Sequence, residues 1–253
     1  MMRNKKAQVT IFIIIAIIIV ALSMLAYSFY PQIRAGLGLE EQSPQTFVQA
    51  CVEGDMKSVV KNLSIHGGDL DPKNYVSYND EKIGYLCYTN EYYTPCVMQQ
   101  PFLKEHMESE IWNNVKDTIE TCFDSLEQSY QRKGYNVNLR RGTSALEILP
   151  EKISASFNYS LSLSKGESSE SFSSFRVVLD NNIYELIGIA NSILDWEATY
   201  GSVETTTYMD FYHDLKVEKD ERADGTTIYI LTDRNTGDKF QFASRSMAWP
   251  AGY

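Results

Sequence analysis

The chain has 253 residues, 43% of them hydrophobic and 12% aromatic, and a formal net charge of −10. Its first 30 residues hold three basic and no acidic side chains, so the remainder carries 20 − 33 = −13. A surface of that sign repels nucleic acid and anionic headgroups and excludes a polybasic binding role.

Residues 1–8 read as a basic cytoplasmic leader with Arg3, Lys5 and Lys6. Residues 9–30, Val9 to Tyr30, are uncharged and rich in Ile, Val, Ala and Leu. About 20 apolar residues suffice to span a bilayer as a helix, which satisfies its own backbone polar groups in lipid. The apolar core of a cleavable secretory signal is shorter, roughly 7–15 residues. The run therefore predicts a retained, single-pass transmembrane helix. Basic residues stay on the cytoplasmic side, so the N-terminus is expected inside and the C-terminal part extracytoplasmic. The lipid bilayer is thereby the first expected partner.

Just before the run stands Asn4-Lys5-Lys6-Ala7-Gln8. This segment resembles the class III signal peptides of archaeal type IV pilin-like proteins. The resemblance covers about the first 30 residues. It implies cleavage between Ala7 and Gln8 by a prepilin-type peptidase, and other membrane or filament subunits as partners. Many members of that family have Glu five residues into the mature chain, where this sequence has Phe12. That departure argues for an accessory rather than a major filament subunit.

Residues 31–45 form a linker. Ser43 and Pro44 then supply an N-cap and a first-turn proline. Phe47, Val48, Cys51, Val52, Met56, Val59, Val60 and Leu63 recur at helical spacing until Gly67 and Gly68. One apolar stripe predicts a helix lying on a core. Residues 69–100 are expected to be irregular, with six tyrosines between Tyr75 and Tyr93 and a loop bracketed by Cys87 and Cys96. Pro101 opens a second helix, with Leu103, Met107, Ile111, Val115, Ile119, Cys122, Leu126 and Tyr130 as its stripe, and Gly134 closes it.

Beyond Gly134 the period becomes two. Ile153, Ala155, Phe157, Tyr159, Leu161 and Leu163 alternate with polar residues, the pattern of a strand with one buried face. Phe175, Val177 and Leu179 return. Asp180 and Asn181 cap a third helix over 182–199. Met209, Phe211, His213, Leu215 and Val217 suggest a further strand, followed by turns at Asp224-Gly225 and Asn235-Thr236-Gly237. The expected fold class is α+β: an N-terminal transmembrane helix, then an extracytoplasmic domain with two packed helices, a third helix and antiparallel β-sheet. Residues 46–134 would form a helical, disulfide-bonded subdomain and 135–253 an α+β antiparallel-sheet subdomain.

Cys51, Cys87, Cys96 and Cys122 are even in number and fall in the exported part, which favours two disulfides. Three pairings are open. Cys51–Cys122 and Cys87–Cys96 is preferred because the first two share helix-stripe positions and the last two share one irregular segment. No C-x-x-C spacing points to zinc. Asn62-Leu63-Ser64 and Asn158-Tyr159-Ser160 are N-glycosylation sequons. His66-Gly67-Gly68-Asp69-Leu70-Asp71 offers oxygen ligands for calcium but reads better as a helix end and a polar turn. In Asp233-Arg234-Asn235-Thr236-Gly237-Asp238 the glycine is one place early and Ser244 stands where a bidentate Glu should close the loop, so a hairpin turn fits better. His213 falls on an apolar face. No nucleophile elbow, zincin or phosphate-loop motif occurs. Neither a catalytic residue nor a cofactor is therefore expected. The function expected is a membrane-anchored extracytoplasmic surface protein, in a pilin-like accessory filament or adhesion role. A single-pass binding or receptor ectodomain is the alternative, and an envelope enzyme comes third.

Overall fold

The computed structural model describes residues 43–248. In chain order these form α1 (Pro44–Ile65), β1 (Tyr75–Tyr78), β2 (Glu81–Tyr88), β3 (Val97–Met98), α2 (Leu103–Arg132), β4 (Asn136–Arg140), β5 (Ser144–Leu149), β6 (Lys152–Phe157), β7 (Ser160–Lys165), β8 (Ser168–Phe172), β9 (Phe175–Asp180), α3 (Ile183–Tyr200), α4 (Thr206–Phe211), β10 (Leu215–Glu221), β11 (Thr226–Asp233) and β12 (Lys239–Arg245).

The expected fold class needs correction. Among the described residues no helix is long and apolar enough to cross a membrane. At 30 residues α2 has the length, but its outer face carries charges such as Glu105, Lys116 and Asp117. The run 9–30, on which the transmembrane expectation rests, lies outside the described residues, as do Ala7 and Gln8. The architecture shown is an α+β domain with four helices and three sheets among those residues.

Helix α1 buries Val48, Val52, Met56, Val60 and Leu63, one residue every turn. Helix α2 buries the whole predicted stripe together with Phe123. The two pack against each other and are tied by Cys51–Cys122, with Cα atoms 6.0 Å apart. Cys122 is buried, but Cys51 is exposed at the border of its stripe rather than within it.

The period-two segment is bent. β6 and β7 are one run interrupted at Asn158 and Tyr159, and β4/β5 and β8/β9 break at the same level. Above the break the order is β5-β6-β9, below it β4-β7-β8, all antiparallel. Three residues, Arg141 to Thr143, oppose Asn158 and Tyr159, and this excess on one strand bends the sheet. Its apolar face delivers Phe157, Tyr159 and Phe175 around Phe123 of α2, with ring centroids 5.6, 4.7 and 5.2 Å from it. The outer edge of β9 is covered by α1. Gln49 donates to the Val178 carbonyl at 2.8 Å and accepts from its N–H at 3.0 Å. One turn earlier Gln45 makes the same pair of bonds with Arg176. Two glutamine amides thus stand in for a missing strand at an otherwise open edge.

The larger sheet runs β1-β2-β12-β11-β10, with β3 beside β2. Its β10–β11–β12 meander follows the turns read from the sequence. Two expectations about this region are corrected. Residues 69–100 are not irregular: β2 is an inner strand, parallel to β12, with Ile83, Gly84, Leu86 and Cys87 all buried. Burial on both faces erases the alternation that would have marked it. The strand expected from Met209 begins only at Leu215; Thr206–Phe211 is the helix α4. From Pro44 onward the chain is one compact unit, and its main core runs unbroken from Val48 on α1 to Phe242 on β12.

Candidate functional site

The start of α3 is fixed by the turn between β11 and β12. Asp238 accepts from the Asn181 side chain at 2.8 Å and the Asn182 N–H at 2.9 Å. Asp233 accepts from the Asn182 side chain at 2.6 Å and from the N–H groups of Asn235 and Thr236. Asn181 in turn accepts from the Ile183 N–H at 3.0 Å. These bonds occupy both carboxylates, so the Asp233–Asp238 segment is a helix anchor rather than a cation loop.

From this anchor α3 runs across the large sheet and buries Leu186, Ile187, Ala190, Ile193 and Leu194. Glu197 follows on the same face, only 2% exposed, and accepts the Tyr229 hydroxyl hydrogen. Burial pushes its carboxyl above the usual carboxylate range, and the Tyr229 hydroxyl and the Lys219 charge take back part of that rise. Burial and the facing carboxyl likewise raise the Tyr229 phenol.

The outer face of α3 carries exposed Trp196 and Tyr200, with ring centroids 4.9 Å apart. Gly201 ends the helix at φ +78, where a Cβ would lie 2.3 Å from Ala248; only glycine suits that combination. The chain then turns back. Glu204 accepts the N–H and hydroxyl of Thr206 at 3.0 and 2.8 Å and so starts α4. Both bonds hold the Glu204 carboxyl below its ordinary value.

Helix α4 buries none of its residues. It is held by the Tyr208 hydroxyl against Ser192 at 2.7 Å and by Met209 sulfur accepting the Val217 N–H at 3.4 Å. At its end Phe211 is 79% and Tyr212 56% exposed. Two clefts flank this small helix and share Ser192, Tyr208, Phe211 and Tyr212 as walls. One, of about 500 Å³, is closed by Trp196, Val203 and Glu204. The other, of about 720 Å³, is closed by Glu185, Ile189, His213 and Asp214. None of the described residues lining either cleft is Lys or Arg. A third cleft, about 700 Å³ and polar, lies between α1 and the β11–β12 turn. Asn181, Asn182 and Asp238 in its wall already bond one another.

The other residues singled out from the sequence do not converge. His66 faces Glu81 at 3.0 Å, Asp69 faces His106 at 2.9 Å, and Asp71 pairs with Lys82 at 2.7 Å. The Lys82 ammonium lowers the Asp71 carboxyl. Each acid of that loop thus has its own counter-group. Among the described residues no group of three or more His, Cys, Asp or Glu could hold a metal ion. His213 lies exposed in the turn after α4, not on an apolar strand face, because the chain there is no longer extended. Asn62 is exposed on α1, and Ser64 of its sequon is buried with its hydroxyl donating to Val60. Asn158 is exposed at the sheet bend and donates to the Thr143 hydroxyl at 2.8 Å. Cys87 and Cys96 are joined, Cα atoms 5.3 Å apart.

Sequence reasoning missed Trp196, Phe211 and Tyr212. Apolar aromatics are assigned to the core by default, and only the density of aromatics just after Gly201 hinted otherwise. The chain matches no protein-family model, and comparison with curated proteins and with solved structures gives no match. The described part is thus a doubly disulfide-bonded α+β domain with an acidic, aromatic cleft pair. Its two disulfides indicate an extracellular or otherwise oxidising environment.

Proposed function

We propose that the chain is a membrane-anchored, extracytoplasmic surface protein that serves a pilin-like filament or adhesion system as an accessory subunit. The observation that carries this reading is the order of features: a basic leader ending Lys5-Lys6-Ala7-Gln8, an uncharged run, then a disulfide-bonded domain. The domain of about 200 residues is large for a repeating filament unit, which favours an accessory role. A prepilin-type peptidase and other envelope subunits are the partners this reading needs. A binding-module role for the exposed domain is the second reading, and the aromatic clefts beside α4 favour it. Intact-mass and N-terminal peptide analysis of protein taken from its native membrane tests the proposal. The expected chain begins at Gln8 and has four oxidised cysteines. A chain that still begins at Met1 or Met2 removes the pilin-like part, and four free thiols remove the extracytoplasmic part.

A further inference from the structure

Exposed aromatic rings that line a shared hollow are a different matter from scattered ones. Trp196, Tyr208, Phe211 and Tyr212 wall one cleft of about 500 Å³. Packing does not explain the last two, which stand mostly in solvent. Charge narrows the occupant. Glu204 is in the wall and is held ionised by its two bonds from Thr206. The lining of the adjoining cleft adds Glu185, Asp214 and Asp233. Lys219 lies near Glu204, but its ammonium is engaged by the Val203 carbonyl at 3.1 Å and by Glu221 at 2.5 Å.

Sign of charge, more than hydrogen-bonding capacity, selects among ligands that stack on aromatic rings. The Ser192 and Tyr208 hydroxyls bond each other, which leaves one of their two O–H hydrogens uncommitted, and both Thr206 bonds fall on one oxygen of Glu204, so its second oxygen still accepts. A sugar, being neutral, gains no net Coulomb attraction from the acidic lining, and it needs many directional partners. A methylated ammonium ion needs none: it asks for aromatic faces, best a Trp, and a negative field. We propose that the cleft between α3 and α4 binds a small soluble organic ammonium ion of the quaternary type, its methyl groups set against Trp196 and its charge facing Glu204. This gives the binding-module reading a ligand class and rests on it. The assay below depends on neither leader cleavage nor surface location, so either idea can fail while the other stands.

The test is calorimetry on the full chain in a detergent with neither a sugar nor a choline head. The titrants are choline, its uncharged carbon isostere 3,3-dimethylbutan-1-ol, and cellotriose. Choline is expected to bind about tenfold tighter than the isostere, as one or two good cation–π contacts allow. Trp196→Leu keeps an apolar side chain but no π-face, and is expected to bring the two within about twofold. Glu204→Gln is expected to weaken choline about twofold, since that carboxylate is exposed and screened, and to leave the isostere unchanged. Tyr92→Ala, outside the cleft, is expected to change neither, and intact disulfides in every variant show that the fold survives. Equal binding of choline and isostere, a preference that survives Trp196→Leu, no choline binding at millimolar concentrations, or binding of cellotriose instead would each overturn the assignment.

Discussion

Glu197 is the only fully buried charged side chain among the described residues. It sits between α3 and the large sheet with Tyr229 as its donor, and Lys219 and Glu221 act on it from β10. Burial is the largest influence and raises its carboxyl above the usual range. The folded state therefore holds this proton more tightly than the unfolded chain does. The stability from that binding is fully present below the unfolded-state pKa and is lost as pH rises through the folded one. Glu197→Gln retains an acceptor for the Tyr229 hydroxyl and never ionises. The variant should therefore melt higher than the parent at about pH 8, with the gap closing toward about pH 4. Thermal melts of both chains across that range check it. A gap that widens toward acid would mean that the carboxylate is stabilising, and that the argument from burial is wrong.

The bend shared by the three long strands is the clearest device at the scale of an element, and Gly142 makes it possible. A Cβ there would stand 2.3 Å from the Asn158 carbonyl oxygen, a backbone atom that cannot swing away. Gly142→Ala should cost about 1–3 kcal/mol, as overpacked sites do. Gly54→Ala, in α1 with nothing within 4 Å of the added atom, should instead stabilise by roughly 0.5–1 kcal/mol through helix propensity. Denaturant unfolding of the pair separates a steric role from a general glycine effect. The sequence carried the alternation of β6 and β7 but not the bend, because Asn158 and Tyr159 keep the period while the hydrogen-bond partner changes. Helices α1, α2 and α3 were legible because each buries one stripe. β2 was not, since Ile83, Gly84, Leu86 and Cys87 show no alternation and its parallel partner β12 lies far along the chain. At α4 the spacing of Met209, Phe211 and His213 fits a strand as well as a short helix. What decides it is the Glu204–Thr206 start, a local bond that no periodicity reports. The candidate cleft stayed hidden for the same reason, because its aromatic wall depends on α4 being a helix, with Tyr208 and Met209 against the core and Phe211 left exposed.

At the largest scale, the first and second halves of the described domain are one structure. β2 from the first half pairs with β12 from the last, α1 braces β9 through Gln45 and Gln49, and a single core joins α1 to β12. Cys51–Cys122 staples α1 to α2 across a sequence separation of 71, whereas Cys87–Cys96 spans only 9. Loop-closure entropy assigns about 4 kcal/mol to the long bridge and about 3 kcal/mol to the short one, because the longer loop restricts the unfolded chain more. The variant Cys51→Ser with Cys122→Ala keeps Cys87–Cys96 and matches the exposed and buried settings of the two positions. It should lose about 4 kcal/mol while still unfolding in one transition, with far-ultraviolet dichroism and tryptophan fluorescence tracing the same curve. The α1–α2 pair contributes Val48, Val52, Phe123 and Leu126 to the same core as Phe157 and Phe175 of the sheet. It therefore has no separate interior with which to melt alone. An early transition confined to helical dichroism would show that the helices are an independent unit held on by the bridge, and that the continuous core does not make the domain cooperative.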